Sequence, residues 1–304
     1  MEQMMRSVLL SLAKNKSANR LAKRYGLHLG AQRFVAGETI DSAIATVRQL
    51  NSDGITATLD HLGEFVSDER EAAESTDFCV RTLDAIAAAG VRATLSVKMT
   101  QMGLDIRRDL CTHNMRRILS TAKDFGLRVN IDMEDFSRCQ VTLNMFDQLR
   151  KDYDNVDTVL QAYLYRSFDD AVRLSREGAH IRVVKGAYKE PPSVAYPDKA
   201  EVDANYVKMV ESLLLGSGFV AVATHDEQII EHCKLFIGKH QLSSDKYEFQ
   251  MLYGIRTDLQ HRLVQEGYPL RIYVPYGNDW YGYFMRRLAE RPANVGFVLR
   301  GMMR

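Results

Sequence analysis

The sequence has few of the residues that identify several common classes of protein. It contains four cysteines, Cys79, Cys111, Cys139 and Cys233, and no CxxC pair, so neither a zinc knuckle nor a disulfide scaffold is predicted. Isolated cysteines in a chain of 304 residues are typical of a reducing compartment, here the cytoplasm. The six prolines are too few to mark a linker between domains. The apolar runs are far shorter than the roughly 18 residues that a membrane-spanning helix needs.

A net charge is also nearly absent. The chain has 40 Lys and Arg against 39 Asp and Glu, which gives a formal net charge of +1. This balance argues against general nucleic-acid binding through the phosphate backbone. Hydrophobic residues make up 46% of the chain and charged residues 26%, which is ordinary for a folded globular protein and argues against a disordered or fibrous one.

The charge is unevenly distributed along the chain. Residues 1–34 contain seven basic side chains and one acidic one, so this segment carries +6 and the remainder −5. An apolar patch at residues 8–13 lies beside the basic residues. A secretory signal is not favoured, because the apolar run is short and no small-residue cleavage site follows it. A transit peptide, a peripheral contact with the anionic inner face of the cell membrane, and a helical arm packed on the main body remain open.

From residue 51 onward, patterns typical of a strand alternate with patterns typical of a helix. Eight such units in about 254 residues predict a (β/α)8 TIM-type barrel. An open doubly wound sheet is less favoured, because no GxGxxG turn follows any strand. We therefore expect an N-terminal helical arm over residues 1–50, outside the barrel, and a catalytic barrel domain over residues 51–304. The predicted strands are 55–59, 93–97, 127–131, 158–163, 181–184, 220–224, 247–251 and 270–274, and the predicted helices include 78–89, 141–149, 200–215, 257–265 and 280–290.

Polar and ionisable side chains recur where the predicted strands end. In a TIM-type barrel the catalytic residues come from these carboxyl ends and the loops after them. His225 has no second histidine at metal-ligand spacing, so a zinc site is not predicted. The polar side chains at the strand ends are Asp60, Lys98, Asp132, Glu134, Gln161, Lys185, Thr224, His225, Gln250 and Tyr273.

Several charged residues indicate an anion site at the mouth of the barrel. Arg286 and Arg287 follow the eighth strand, and a guanidinium binds a carboxylate well through two hydrogen bonds, although a solvated basic turn is the alternative. Lys98 adds a point charge at the end of the second strand. Arg182 lies within an apolar strand and needs a partner there, so it belongs either to a structural ion pair or to a site. Asp132, after an apolar strand, is the best single carboxylate candidate, although a helix cap or a salt-bridge partner is the alternative.

Seven strings of residues resemble the proline dehydrogenase family. The most specific is Tyr-x-x-Arg-Arg-Leu at residues 283–288, followed by Glu290 and Asn294. The resemblance extends over residues 55–304, and without a fused aldehyde dehydrogenase or DNA-binding module the chain resembles the monofunctional bacterial form. The strings are residues 96–98, 130–134, 182–188, 223–225, 249–254, 271–275 and 283–294.

The resemblance implies FAD-dependent oxidation of L-proline to 1-pyrroline-5-carboxylate, the first step of proline catabolism, with electrons passed to a membrane quinone. It implies that Asp132 and Arg182 lie at the catalytic centre, with Arg182 stabilising the reduced flavin. It also implies that Tyr283 packs against the proline ring and disfavours hydroxyproline. The implied substrate-binding residues are Lys98, Tyr273, Tyr283, Arg286 and Arg287, and the implied FAD-binding residues are Met133, Gln161, Arg182, Val184, Lys185, Gly186, Ala187, Tyr188, Thr224, His225, Gln250 and Glu290.

Two other classes of function remain open at this point. A non-redox barrel lyase or isomerase would be colourless when purified. A catalytically inactive binding barrel would retain a flavin that proline does not bleach. The oligomeric state is also open.

Overall fold

Eight parallel strands close into a barrel in the order in which they occur along the chain. The computed structural model describes residues 31–63 and 66–290. The strands are β1 Thr56–His61, β2 Ala93–Lys98, β3 Val129–Asp132, β4 Val156–Gln161, β5 His180–Val184, β6 Phe219–Ala223, β7 Tyr247–Leu252 and β8 Leu270–Tyr276. Each strand pairs with the next, and β8 pairs with β1 over six residue positions. The predicted TIM-type barrel is thereby confirmed.

Within the described residues, a helix follows each strand and one further helix precedes β1. A 3-10 turn at Ala31–Arg33 comes before the first of them. The helices are α1 Ile40–Ser52, α2 Glu69–Ala89, α3 Arg108–Asp124, α4 Phe136–Leu149, α5 Ser167–Arg176, α6 Lys199–Leu214, α7 Glu227–His240, α8 Thr257–Gln265 and α9 Trp280–Glu290.

In a regular barrel the helix after β8 covers the outside of the sheet. Here α1 covers the outside where β8 meets β1, and α9, the helix after β8, lies elsewhere. Helix α1 begins at a capping box formed by Thr39 and Ser42, and it packs against β1, β8 and α2. It therefore covers the outside of the barrel where β8 meets β1. Helix α9 instead packs with Leu62 and Ile255, which follow the carboxyl ends of β1 and β7 by one and three residues, so it lies across the mouth. The predicted domain division at residue 50 stays a prediction; α1 spans that position, and residues 1–30 lie outside the described residues.

The strands present apolar side chains to the helices and polar side chains to the barrel interior. Leu95 and Val97 of β2 belong to the main hydrophobic core, whereas Ser96 between them hydrogen-bonds across the interior. Thr58 of β1 and Thr94 of β2 similarly share a hydrogen bond of 2.9 Å. Because side chains alternate along a strand, the polar residues of neighbouring strands meet inside the barrel. The hydrophilic groups therefore collect inside the barrel, and those at the strand ends lie at the mouth of the barrel.

Several elements differ in extent from their predicted ranges; helix α4, for example, begins at Phe136, five residues before the predicted start. Helix α2 begins at Glu69, where Asp68 caps it by accepting a hydrogen bond from the Glu71 amide, nine residues before the predicted start. Its first turns are rich in charged and small residues, which hides the apolar period. Strand β4 begins at Val156, two residues before the predicted start. Asp157 interrupts the apolar run in the sequence, which hides this start, and in the structure it pairs with Arg128.

Candidate active site

A buried carboxylate, Asp132 at the end of β3, is the centre of the hydrogen-bond network at the barrel mouth. Its Oδ1 accepts hydrogen bonds from Ser96 Oγ at 2.7 Å and from Asn130 Nδ2 at 3.0 Å. The same oxygen accepts a third bond from the Arg182 guanidinium at 2.9 Å. Donors from β2, β3 and β5 thus converge on one atom, which fixes the direction of the carboxylate.

The second oxygen of Asp132 joins β3 to β8 and β2. Its Oδ2 accepts a hydrogen bond from the Tyr273 hydroxyl at 2.7 Å and a longer one from Lys98 Nζ at 3.4 Å. Lys98 also donates to Asp60 Oδ1 at 3.0 Å, so its ammonium lies between two carboxylates. The structure therefore brings together four of the residues that the sequence assigned to the site, Lys98, Asp132, Arg182 and Tyr273.

The pKa values in this cluster favour the charged forms of its acid and its base. Burial alone would raise the pKa of Asp132, but Lys98, Arg182 and the hydrogen bonds hold it below its ordinary value. Burial alone would lower the pKa of Lys98, but Asp60, Tyr273 and Asp132 hold it well above its ordinary value. Burial, followed by the charge of Asp132, raises the pKa of Tyr273 well above its ordinary value, so the phenol stays a hydrogen-bond donor. Two carboxylates and two cations leave this cluster with no net charge.

Arg182 has a donor that none of the described residues satisfies. Its side chain is 6% exposed, and its Cζ lies 5.2 Å from the centre of the Tyr273 ring. One terminal nitrogen binds Asp132, but the buried Nε has no hydrogen-bond partner among the described residues. Leaving a buried charged donor unpaired is costly, so an acceptor from a bound molecule is expected beside it.

The loop after β5 contains the run Lys185-Gly186-Ala187-Tyr188. The Lys185 ammonium lies 2.5 Å from Asp203 and 2.7 Å from Asp226, so ion pairs hold it at the mouth. Gly186 has φ +120°, and a Cβ there would lie 2.3 Å from the ring of Tyr163. The glycine is therefore required by a contact within the protein itself, in addition to any approach of a ligand. Ala187 and Tyr188 are exposed.

The two glutamines of the predicted cofactor site each use their amide nitrogen within the protein. Gln161 donates to the backbone oxygen of Glu134 at 2.8 Å. Gln250 donates to Glu248 at 2.6 Å, and Glu248 also pairs with Arg271 inside the barrel. An amide has an acceptor oxygen besides its two donor hydrogens, so both residues retain further hydrogen-bonding capacity.

The loop after β6 is held in shape by Thr224 and His225. The Thr224 hydroxyl accepts a hydrogen bond from the Asp226 amide at 3.1 Å. His225 Nε2 accepts one from the Leu252 amide at 2.9 Å, which ties this loop to the end of β7 and requires Nε2 to be unprotonated. Two apolar members of the predicted cofactor site are buried or half-buried at the ends of β3 and β5, namely Met133 and Val184.

Helix α9 contributes Tyr283 and Arg287 to the same end of the barrel. Tyr283 is buried, and the guanidinium carbon of Arg287 lies 5.0 Å from the centre of its ring. Arg286 and Glu290 belong to the same helix, but their side chains lie outside the described part of the chain. Asn294, which belongs to one of the resembling strings, also lies outside the described residues.

Three polar residues of this cluster were not assigned to the site from the sequence. Asp60 pairs with Lys98, and Ser96 and Asn130 both bind Asp132. A signal for Ser96 and Asn130 was available: each stands two residues before a charged strand end in an otherwise apolar strand. Residues two positions apart on a strand point to the same face of the sheet. Ser96 and Asn130 therefore face the barrel interior, as Lys98 and Asp132 do.

Comparisons with known proteins identify proteins that are similar to this chain. The family model described as proline dehydrogenase matches residues 43–300. Proline dehydrogenase 2 of Bacillus subtilis is 48% identical, over 98% of this chain and 98% of the relative. Proline dehydrogenase of Deinococcus radiodurans is 45% identical, over 100% and 99%. A crystal structure of proline utilization A from Bdellovibrio bacteriovorus, inactivated by N-propargylglycine, matches with a TM-score of 0.83 and 26% identity, covering 94% of this chain and 36% of that longer one.

The substitution Asp132→Asn is expected to flatten the acid dependence of stability. A lowered pKa means that ionised Asp132 stabilises the folded protein at pH values above its ordinary pKa of 3.8, and that this contribution is lost as the pH falls through the lower folded value. The free energy of unfolding should therefore fall more steeply below about pH 4 in the unaltered protein than in the variant. At pH 7 the variant should be less stable by about 3 kcal/mol, because buried cations lose their partner. Urea unfolding across a pH series measures both effects.

The matched control is Asp84→Asn, which changes an exposed carboxylate on α2. Its acid dependence should follow that of the unaltered protein. Parallel stability curves for Asp132→Asn and the unaltered protein would contradict the assignment of Asp132 as a buried, ionised anchor.

Proposed function

The chain belongs to the proline dehydrogenase family, whose reaction is the first step of proline catabolism, and we propose that it oxidises L-proline to 1-pyrroline-5-carboxylate with non-covalent FAD and a membrane quinone as electron acceptor. The family resemblance found in the sequence is confirmed by these matches. The single observation that supports the finer proposal is the buried cluster around Asp132, in which Arg182 keeps an unsatisfied donor.

The residues at the mouth fit a flavin. The buried Nε of Arg182 needs an acceptor, and the flavin ring offers nitrogen and carbonyl acceptors. FAD, when bound, supplies the acceptor for the hydride that leaves the proline carbon next to the amine. The positive charge of Arg182 would favour the negative charge of the reduced ring. The residues that would hold FAD are Met133, Gln161, Arg182, Val184, Lys185, Gly186, Ala187, Tyr188, Thr224, His225, Gln250 and Glu290.

The substrate carboxylate needs a cationic partner, and both cations of the central cluster are already paired with carboxylates. Asp60 and Asp132 already balance Lys98 and Arg182. Helix α9 brings Arg287, together with its neighbour Arg286, to the end of the barrel where this cluster lies. We assign these two guanidinium groups to the proline carboxylate, with Lys98 as a third contact and the rings of Tyr273 and Tyr283 on either side of the substrate.

Asp132, Lys98 and Tyr273 are not suited to remove the amine proton. The pKa of Asp132 is held low by its cations, so this carboxylate binds a proton weakly at neutral pH. The pKa values of Lys98 and Tyr273 are held high, so both are already protonated. The proposed role of Asp132 is accordingly to orient Arg182 and Tyr273, and proline enters the reaction as the neutral amine, having lost its proton to solvent.

Anaerobic L-proline is expected to bleach the bound flavin. The purified protein should be yellow, its visible absorbance should fall on adding proline, and denaturation should release free FAD. An absorbance spectrum before and after proline, with chromatography of the released cofactor, measures all three. A colourless protein would favour a non-redox barrel enzyme, and an unbleached flavin would favour a binding barrel. FMN, or a flavin retained after denaturation, would contradict the cofactor assignment.

Arg286→Met and Arg287→Met should each weaken proline binding at least tenfold. Removing one partner of a desolvated charge pair costs about 2–5 kcal/mol, which corresponds to that loss or more. The KM for proline and the dissociation constant of a non-oxidised ring carboxylate are the measurements. Arg116→Met is the control, because Arg116 is half-exposed on α3 and pairs with Asp152 on the outside of the barrel. Unchanged affinity in both α9 variants would remove these arginines from the site.

We assign the basic segment before residue 31 to the membrane surface, where a quinone is dissolved; residues 31–34 of the predicted arm pack on the barrel, with Ala31 and Phe34 buried. No helix within the described ranges has the length and apolar character needed to span a bilayer. Each Lys or Arg near an anionic bilayer contributes about 1 kcal/mol, so several together give reversible attachment that salt weakens. An arm packed on the barrel, with its basic residues merely solvated, is the competing interpretation.

Replacing Lys14, Lys16 and Lys23 by Gln should reduce sedimentation with anionic vesicles at low salt. The expected loss is about 3 kcal/mol of binding free energy, because three attractive charges are removed. The control replaces three exposed lysines of the barrel, Lys123, Lys151 and Lys239, by Gln. Equal sedimentation of the two triple variants, or binding that does not depend on lipid charge, would rule out the basic segment as the attachment site.

A further inference from the structure

A second hydrophobic cluster, separate from the main core, joins the segment before α1 to helix α9. The Phe34 ring is almost fully buried and its centre lies 6.1 Å from that of Phe284. The Trp280 ring, which is fully buried, also lies 6.1 Å from Phe284. The buried members of this mouth cluster are Ala31, Phe34, Val35, Leu62, Trp280, Tyr281, Tyr283, Phe284 and Met285.

One polar contact connects this segment to the first turn of α9. The indole Nε1 of Trp280 donates a hydrogen bond to Glu38 Oε1 at 3.1 Å. A buried indole N–H normally has a hydrogen-bond partner, and Glu38, which is itself exposed, supplies it from the link between the 3-10 turn and α1. The contact therefore fixes the orientation of a buried ring from the protein surface.

Backbone hydrogen bonds attach the same link to the chain just before α9. The Ala36 amide donates to the Pro275 oxygen at 2.9 Å, and the Gly277 amide donates to the Gly37 oxygen at 3.0 Å. Gly277 stands three residues before Trp280. These two hydrogen bonds fix the position of the link relative to the end of β8. Glu38 is therefore held in place where it contacts α9.

The rotation of α9 about its axis determines where its functional side chains point. Tyr283 and Arg287 follow Trp280 by three and seven residues, which places all three on one side of the helix. Arg287 lies about 10 Å along the axis from Trp280. Binding groups must stay within about 10–20° of their productive orientation, so a small rotation at Trp280 displaces the side chains that we assign to proline.

We propose that Glu38, through Trp280, is a positioning residue for the proline site: it sets the rotation of α9 and so the placement of Tyr283 and Arg287. This inference rests on the proposed function, in which α9 binds the substrate carboxylate. Glu38 touches neither the substrate nor the cofactor, so its removal affects substrate affinity and leaves the flavin and the chemical step in place.

The test compares Glu38→Ala with Glu38→Gln. Glu38→Ala should raise the KM for proline at least about threefold, while the limiting rate of flavin reduction at saturating proline and the flavin content change less than about twofold. Glu38→Gln should behave as the unaltered protein, because its amide oxygen still accepts from Trp280. Equal KM values for Glu38→Ala and the unaltered protein would overturn the proposal, as would a failure of Gln to restore the KM.

Thr39→Ala is the matched structural control. Thr39 adjoins Glu38 but caps α1 on the other side of the link, so this variant loosens the same segment without touching α9. Its melting temperature should fall while its KM for proline stays within about twofold of the unaltered value. A rise in KM equal to that of Glu38→Ala would mean that any loosening of the segment suffices, and would overturn the specific role of Glu38.

Trp280 is the only tryptophan of the chain, so its fluorescence reports this contact directly. Glu38→Ala should shift the emission to longer wavelength, and Glu38→Gln should not. If Glu38→Ala does not fold, Trp280→Phe removes the donor instead and should raise the KM in the same way; an unchanged KM in Trp280→Phe would overturn the proposal. Absence of flavin bleaching in the unaltered protein would overturn the proposed function together with this inference. Normal bleaching with an unchanged KM in Glu38→Ala would overturn the inference alone.

Discussion

The ionised carboxylate of Asp132, buried at the end of β3, is the interaction on which the rest of the site depends. A buried charge is tolerated only when it is paired and its hydrogen-bonding capacity is filled. Five donors from four strands meet this demand: Ser96 and Lys98 of β2, Asn130 of β3, Arg182 of β5 and Tyr273 of β8. Their convergence requires a closed barrel in the observed register, so the fold and the site are set by the same contacts.

The position of α9 follows from the packing of α1 on the outside of the barrel. Because α1 covers the junction of β8 and β1, the helix after β8 does not occupy that place and lies across the mouth instead. The segment before α1 must then cross the same end of the barrel, where Phe34 and Glu38 meet α9. A single change in helix placement therefore brings residues from both ends of the described chain to the candidate site.

The sequence was sufficient to predict the elements but only part of the contacts. The alternation of strand and helix patterns predicted the barrel, and the residues at strand ends and the family resemblance assigned Lys98, Asp132, Arg182 and Tyr273 to one site. The start of α2 was hidden, because Glu69 and its charged neighbours have no apolar period. The reason for a glycine at position 186 was hidden as well, because the ring that excludes a side chain belongs to Tyr163 of another loop. The Glu38–Trp280 bond joins residues 242 positions apart, and no local pattern encodes such a pairing.

The charge balance of the central cluster is the reason why we assign the substrate carboxylate to α9. Asp60 and Asp132 offset Lys98 and Arg182, so the barrel interior alone offers an anionic substrate polar contacts but no excess positive charge. In the proposed function, charge-assisted binding of the carboxylate would then depend on the arginines that follow β8 and on their orientation. The same balance holds the pKa of Asp132 below and that of Lys98 above its ordinary value, which favours the ionised carboxylate and the protonated ammonium. Our proposals therefore assign the orientation of Arg182 to the barrel end, and recognition of the substrate carboxylate to a helix held in place by the segment before α1.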